Sequence, residues 1–403
     1  MPGPLAGLRV VELAHIMAGP VAGLMLADMG ADVVKVEKLP VGDDTRRMVP
    51  PRVGSESAAY LMMNRGKRGI AVDLKQEGGR DVLRRLLGNA DVLIENYRLG
   101  TLDKLGFGWD AVHALNRRLV YCSLSGFGRT GPYAARGGFD LVAQGMSGLM
   151  GITGEGPGRA PVKVGAPVTD ITSGILAAMG ILAALQARAT TGEGQLVDTS
   201  LFEAGIVQTF WQSAIALATG VSPGPLGSAH PLNAPYQAFA TEDGWINVGA
   251  ANQAAWLKLV ACLDAPGLAA DPRYADNAAR MANLPALVAD LAPLFAARTT
   301  DRWLEIFAQA GMPAGPVLSI GEMLIDPQTR ARGMVVETDH PAVGRVAPLG
   351  PPVKFSATPA AVRGPAPLLG QHTGEVLGEL GYSSDAIASL AATGAVALAV
   401  DGS

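Results

Sequence analysis

The hydrophobic positions in the first third of the chain keep changing period. "LRVVEL" and "ADVVKVE" are short β-rich runs, and between them "AGPVAGLMLADMG" spaces its apolar residues as a helix does. "RGIAVDL" then precedes the helical stretch "GGRDVLRRLLGNA", and "DVLIENY" and "RLVYCSLSG" follow with another helical segment between them. Strands alternating with helices predict a parallel sheet covered on both faces, with right-handed crossovers, in a doubly wound Rossmann-like domain.

After Pro161 two long helical runs are expected, over 170–190 and 199–220. The stretch "GVSPGPLGSAHPLNAP" then reads as a turn-rich crossing, because Gly and Pro break both periods. "YQAFAT" and "GWINVGA" predict a hairpin, followed by helices near 253–262, 284–297 and 300–311. From residue 315 the β/α signal resumes in "GPVLSIGEML", "GMVVETDHP" and "GRVAPLGPPVKF", and the chain closes with a helix near 371–381 and an alanine-rich end. The predicted fold class is α/β. Residues 1–222 and 315–403 form a large Rossmann-like domain from both chain ends, and residues 223–314 form a smaller inserted α+β domain.

Composition narrows the classes. The chain has 403 residues, 49% hydrophobic and 17% charged, which suits a compact globular protein and not a disordered or fibrous one. A net charge of -4 supplies no general attraction for nucleic acid or an acidic membrane, so neither is an expected partner. Two cysteines and five scattered histidines make no disulfide framework and no zinc cluster. The start, "MPGPLAGLRVVEL", lacks the pattern of a signal peptide, and "ITSGILAAMGILAALQA" reads as a core helix packed through small residues, so a cytoplasmic location is expected. No Walker A loop and no G-x-S-x-G elbow is present, and the first strand-to-helix turn, "LAHIMAGP", does not carry the G-x-G-x-x-G fingerprint.

Chemistry concentrates on loops. "AHIMAGP", "VEKLPVGD", "NRGKRG", "ENYRLGTLDKLG" and "SGFGRTGPYAARGGFD" are assigned to the carboxyl edge of the sheet, where open α/β sheets bind ligands. They carry Lys38, Arg65, Lys67, Arg68, Arg98, Lys104, Arg129 and Arg136, enough cations for a polyanion such as a nucleotide diphosphate. Asp140 stands apart: it follows Gly137 and Gly138 and opens the helical run "LVAQGMSGLM". As a residue type it fits a helix cap, a buried partner for a cation, or a nucleophile.

Read in order and spacing, "DVVKVE", "MNRGKRGIAVDL", "DVLIENYRLGTLDKLG", "SGFGRTGPYAARGGFDLVAQGMSG" and "TGEGQLVDTSLFEA" resemble the class III CoA-transferase family of the CaiB/BaiF type. That family spans formyl-CoA, carnitine and bile-acid CoA-transferases and α-methylacyl-CoA racemase. The resemblance implies a fold of two domains and an interlocked homodimer. It also implies coenzyme A and acyl-CoA as substrates, a carboxylic acid acceptor, no metal and no redox cofactor, with succinyl-CoA a common donor. It implies Asp140 as the nucleophile, passing through an aspartyl anhydride and an aspartyl-CoA thioester, with Gly137 and Gly138 letting backbone approach the ligand. By position, Met17 and Ala18 would line the thiol end of CoA and Lys38 would meet the adenosine phosphates. Asn64 to Lys67, Asn96, Tyr97, Arg98 and Lys104 would surround the adenine and diphosphate.

Two departures concern substrate. Met17 stands where formyl-CoA transferase has a glutamine, and "VGAANQ" stands where it has a run of glycines; both argue against oxalate and formyl-CoA. The racemase branch places a histidine just before the Asp140 position, and here that residue is Phe139, which does no acid–base work. Asp170 in "APVTDITSG", the remaining carboxylate of that branch, is expected to cap the long helix after it. A racemase, and a CoA-binding protein without catalysis, stay as alternatives. His15 and His230 are minor candidates for ligand contact, Cys122 is expected to be a buried strand residue, and Arg46, Arg47 and Arg52 are candidates for a distal carboxylate.

Overall fold

In the computed structural model, residues 2–399 are described. Seven strands form the main sheet, in the order Val396–Ala397, Arg68–Val72, Asp32–Lys38, Arg9–Leu13, Val92–Glu95, Val120–Ser125 and Leu196–Ser200. All pairings are parallel except that of the carboxyl-terminal strand, which runs antiparallel to Arg68–Val72. Counting the six parallel strands along the chain gives the order 3-2-1-4-5-6, the doubly wound arrangement expected from the alternating pattern. The direction of winding reverses between Arg9–Leu13 and Val92–Glu95, and a crevice at the carboxyl ends of those two strands is where such sheets bind ligands.

Both faces of the sheet are covered, which is why Val92–Glu95 is buried along its whole length. On one face the helices Glu77–Gly88, Trp109–Leu115 and Thr373–Glu379 bury Val82, Leu83, Leu87, Val112 and Leu377 against Leu13, Val36 and Leu93. On the other, Ala18–Asp28 and Val168–Thr191 pack through Ala22, Leu26, Ala177 and Ile181. Small residues let these two helices cross closely: a Cβ on Gly174 would lie 2.7 Å from the Ala18 carbonyl oxygen. The 24-residue Val168–Thr191 is long and apolar enough to cross a membrane by composition, yet this packing makes it part of the large unit's core.

The chain divides into two compact units. The first runs from the amino terminus to Gly148, includes Val164–Gln208 and resumes at Pro327; the second comprises Leu149–Lys163 and Thr209–Asp326, wider than the expected 223–314. Segment 149–163 joins the second unit locally, with the Gly227 amide donating to the Gly154 carbonyl at 2.8 Å. The second unit contains the anticipated hairpin, Tyr236–Ala240 with Trp245–Gly249, around an aromatic core of Phe239, Phe295, Trp303 and Phe307. Ala314–Pro316, read from sequence as the return to the large domain, instead pairs antiparallel with Trp245–Gly249 as a third strand. The run expected as one helix over 199–220 is three elements: the end of strand Leu196–Ser200, then helices Leu201–Val207 and Phe210–Thr219.

Candidate active site

Asp140 is the first residue of the helix Asp140–Met146, with Phe139 in the cap position, so it does not cap its own helix. Its carboxylate reaches the start of Val168–Thr191 instead. Oδ1 accepts from the Thr169 amide at 3.0 Å and the Thr169 hydroxyl at 2.8 Å, and Oδ2 accepts from Gln144 Nε2 at 2.8 Å. Gln144 lies one turn along the same helix, the spacing at which side chains meet, and its Oε1 accepts the Val164 amide at 2.9 Å. Thr169 and Gln144 are fully buried, and the Thr169 amide belongs to the first turn of a long helix, whose positive end faces the Asp140 carboxylate. Neither residue stood out in the sequence; the D-x-x-x-Q spacing on a helix is the signal that could have found Gln144.

Asp170 follows directly, and its setting is the opposite. The helix starts with Pro167 in the cap position and no side-chain cap, so Asp170 lies inside the first turn and caps nothing, contrary to expectation. It is half-buried, and no hydrogen bond to its carboxylate is found among the described residues. Burial first, and the charge of Asp140 second, push its carboxyl up to about 6. Two carboxylates thus sit close enough to repel, one held by three donors and the other bare.

The loop before Asp140 shows what its glycines do. A Cβ on Gly138 would lie 2.5 Å from the Gly126 Cα, so this glycine allows the backbone of two loops to touch. Phe139 is 75% exposed beside the carboxylate pair.

At the switch point, the loops after the first and fourth parallel strands are tied together. The His15 amide donates to Asn96 Oδ1 at 2.9 Å, Asn96 Nδ2 donates to the His15 carbonyl at 2.8 Å, and His15 Nε2 meets the Tyr97 hydroxyl at 3.2 Å. Burial, then the nearby Lys35 ammonium, lower the His15 pKa. Alongside lies a cleft of about 520 Å³ whose lining includes Lys38, Lys75, Tyr97, Lys104 and Leu105. Three sequence-selected residues, Lys38, Tyr97 and Lys104, therefore meet on one cleft, and Lys75 joins them unannounced. Lys38 is at present paired with Asp44 at 3.0 Å. Arg98 is exposed, within 4 Å of the Cβ position of Gly137, and links this edge to the loop that leads to Asp140.

The "NRGKRG" segment behaves differently from expectation, because it precedes its strand and so lies at the opposite edge or in the interior. Arg65 is buried against Asp28, and Arg68 pairs with Asp32, Glu375 and Glu379. Asn64 and Lys67 are buried: Lys67 Nζ bonds Glu12 at 2.7 Å, the Asn64 side chain at 3.0 Å and the Pro20 carbonyl at 2.9 Å. Burial lowers the Lys67 pKa to about 8 against the pull of Glu12. Arg46 is likewise engaged with Glu37 and Tyr60. Met17 is half-buried and Ala18 is buried at the start of its helix. In the second unit, His230 packs edge-on between Trp211 and Tyr236. Cys122 is a buried strand residue whose thiol burial pushes up. Among the described residues, no group of three or more His, Cys, Asp or Glu is arranged to hold a metal ion.

Against known proteins, the profile of CoA-transferase family III matches residues 5–373. The chain is 41% identical to a succinate–glutarate CoA-transferase of Agrobacterium fabrum, over 94% of this chain and 96% of that one. It is 38% identical to the succinyl-CoA:glutarate CoA-transferase of Homo sapiens, over 98% and 90%. The crystal structure of a CaiB/BaiF family protein from Brucella suis is 42% identical and superposes with a TM-score of 0.84, covering 94% of this chain and 100% of that one.

Proposed function

The chain belongs to CoA-transferase family III, and from that footing we propose that it carries CoA from succinyl-CoA to a dicarboxylic acid of the glutarate kind, with Asp170 as the reacting carboxylate. Transfer of CoA between carboxylic acids is the activity of its relatives. The donor and acceptor follow the names of proteins 38% and 41% identical over nearly the whole chain.

One observation carries the choice of Asp170. Its carboxyl is raised to about 6 and has no hydrogen-bond donor among the described residues, whereas the Asp140 oxygens already accept three hydrogen bonds. A carboxylate stripped of donors and pressed by a second negative charge is the more basic and the better nucleophile. The reading therefore moves the nucleophile from Asp140 to its neighbour in space and leaves Asp140, clamped by Thr169 and Gln144, to set the local charge.

An Asp170 oxygen attacks the thioester carbonyl, the C–S bond breaks, and a mixed anhydride and CoA thiolate result. The thiolate attacks the aspartyl carbonyl of that anhydride, succinate leaves, and an aspartyl-CoA thioester remains. The acceptor carboxylate then attacks this thioester, and the released thiolate takes the acceptor acyl group, regenerating Asp170. No water and no net proton are consumed. Lys38, Lys75 and Lys104 around the cleft are suited to the phosphates of CoA, and Met17 and Ala18 are assigned to its thiol end by resemblance to the family. Phe139 in place of an acid–base residue disfavours racemisation.

Homodimerisation is part of the proposal. Ile175 and Met179 on the long helix and Phe139 and Leu141 near the carboxylates are exposed apolar side chains that a second, interlocked copy would cover.

The test is intact-protein mass spectrometry after mixing with succinyl-CoA, followed by peptide mapping. A covalent CoA adduct, converted by hydroxylamine to a hydroxamate at Asp170 and missing in Asp170→Asn, is expected. A hydroxamate at Asp140 would return the nucleophile to that residue, and no adduct at all would favour a CoA-binding protein.

A further inference from the structure

The backbone at the switch point is bent against its own preference. Ile16 has φ +67°, a left-handed conformation that a β-branched residue adopts only when its surroundings impose it. Side chains from other elements supply that constraint. Asp43 Oδ1 accepts the Ile16 amide at 3.1 Å, and Lys35 Nζ donates to the Ala14 carbonyl at 2.9 Å. Lys67 holds the Pro20 carbonyl on the far side of the bend, and Asn96 holds both backbone groups of His15.

We propose that Asp43 is a positioning residue for CoA transfer: anchored by Lys35, it keeps Ile16 left-handed and so sets Met17 and Ala18 against the helix that carries Asp170. The inference rests on the function argued above. Asp43 is fully buried and every part of its carboxylate is engaged. Oδ2 pairs with Lys35 at 2.8 Å, and Oδ1 also accepts the amide and hydroxyl of Thr45 at 2.9 Å each. Burial pushes this carboxyl up, but the Lys35 ammonium and its hydrogen bonds hold it well below the ordinary range, so the anchor stays charged. Lys35 is itself fixed by Glu12 at 2.9 Å.

The bend is coupled to the reacting carboxylate by contact. Asp170 and Gly174 are one turn apart on the same helix face, and Gly174 leaves no room for a Cβ above the Ala18 carbonyl. A shift of Ile16 carries Met17 and Ala18 with it, and the Ala18 carbonyl bears on that face. Asp43 does not line the cleft of Lys38, Tyr97 and Lys104, so its loss should affect the rate and spare CoA binding.

The experiment is Asp43→Ala in the full chain, alone and combined with Ile16→Gly. The single variant is expected to lose kcat by about 10- to 100-fold, the scale of a misplacement near 1 Å. Its KM for acyl-CoA and its Kd for CoA should stay within about twofold of wild type, since no cleft cation changes. Ile16→Gly should return most of the lost rate, because glycine takes the left-handed conformation without an anchor. Amide exchange at residues 14–18 should quicken in Asp43→Ala. Should that variant fail to fold, Lys35→Met with Asp43→Leu removes both charges and leaves Glu12 paired with Lys67 at 2.7 Å. An unchanged kcat in a folded variant, or a lost kcat that Ile16→Gly does not restore, overturns the proposal. If the wild type transfers no CoA, the function argued above fails, and exchange alone decides the clamp: unchanged protection overturns it.

Discussion

Two groups of carboxylates in the large unit, one buried and one half-buried, are built on opposite rules. Under the switch point, Glu12, Glu37 and Asp43 each have a cation: Lys35 and Lys67 on Glu12, Arg46 on Glu37, Lys35 on Asp43. At the head of the long helix, Asp140 and Asp170 approach each other with no cation paired to either among the described residues, where only Asp140 is hydrogen-bonded. Removing charge from water costs several kcal/mol per ion unless partners return it. The first group meets that cost and shapes backbone; the second leaves it unmet on Asp170, where it appears as basicity.

Asp170→Asn breaks the contrast at its most reactive point and has the largest expected effect. CoA transfer should fall by at least about a thousandfold, since the proposed reaction forms its acyl bond on the Asp170 carboxylate. The same variant should be more stable than wild type at neutral pH. The Asp170 pKa is raised on folding, so protonation favours the folded state, and that contribution is present below pH 4 and lost as pH rises through about 6. A rise of roughly 2 pKa units corresponds to at most about 3 kcal/mol of stability that asparagine would recover. Thermal melting at pH 8 and at pH 4 checks the sign: the variant should gain at pH 8 and show no gain at pH 4. A variant that is inactive and less stable at both values would mean that Asp170 is an ordinary structural residue.

Glu12→Gln attacks the paired group, and its effect should be on stability first. It leaves Lys35 and Lys67 buried with one fewer anion, a change that costs about 3–5 kcal/mol when a buried pair is broken. Urea unfolding measures it. A loss under 1 kcal/mol would show that Asp43 and the carbonyls of Ala14 and Pro20 satisfy both lysines unaided.

The sheet was legible because its strands are apolar runs of β-branched residues separated by helical periods, and the order follows from right-handed crossovers. Leu196–Ser200 was missed because it is an edge strand with an exposed Asp198 at its centre, which reads as loop. Ala314–Pro316 was misassigned because three residues carry no period, and only pairing shows which sheet they join. Lys38, Tyr97 and Lys104, selected through the resemblance to the family, line one cleft. Asn64 and Lys67 were not legible as interior, since a lysine in a Gly-rich loop gives no sign that Glu12 lies opposite. Nor could one chain of letters show that Asp140 spends its lone pairs on Thr169, because that contact spans the segment between two helices. Of the three possibilities for Asp140, the contacts match a form of the first: it accepts the amide at the head of a helix other than its own.

The smallest effect sharpens the contrast most. If Asp170 must be ionised to attack, kcat/KM should fall on the acid side with a midpoint near 6. Asp140→Asn removes the neighbouring charge and keeps the shape and one acceptor for Thr169. Because burial is the larger cause of the raised Asp170 pKa and Asp140 the smaller, the midpoint should move to lower pH yet remain above the 3.8 of a free aspartate. The shift separates three arrangements in one series of pH profiles. A midpoint that moves down part of the way identifies two coupled carboxylates with Asp170 reacting. An unmoved midpoint says that burial alone raises the Asp170 pKa and that the two carboxylates are not coupled. Abolished activity over the whole range makes Asp140 the group that forms the bond, and the donors on its oxygens would then have to move before each turnover.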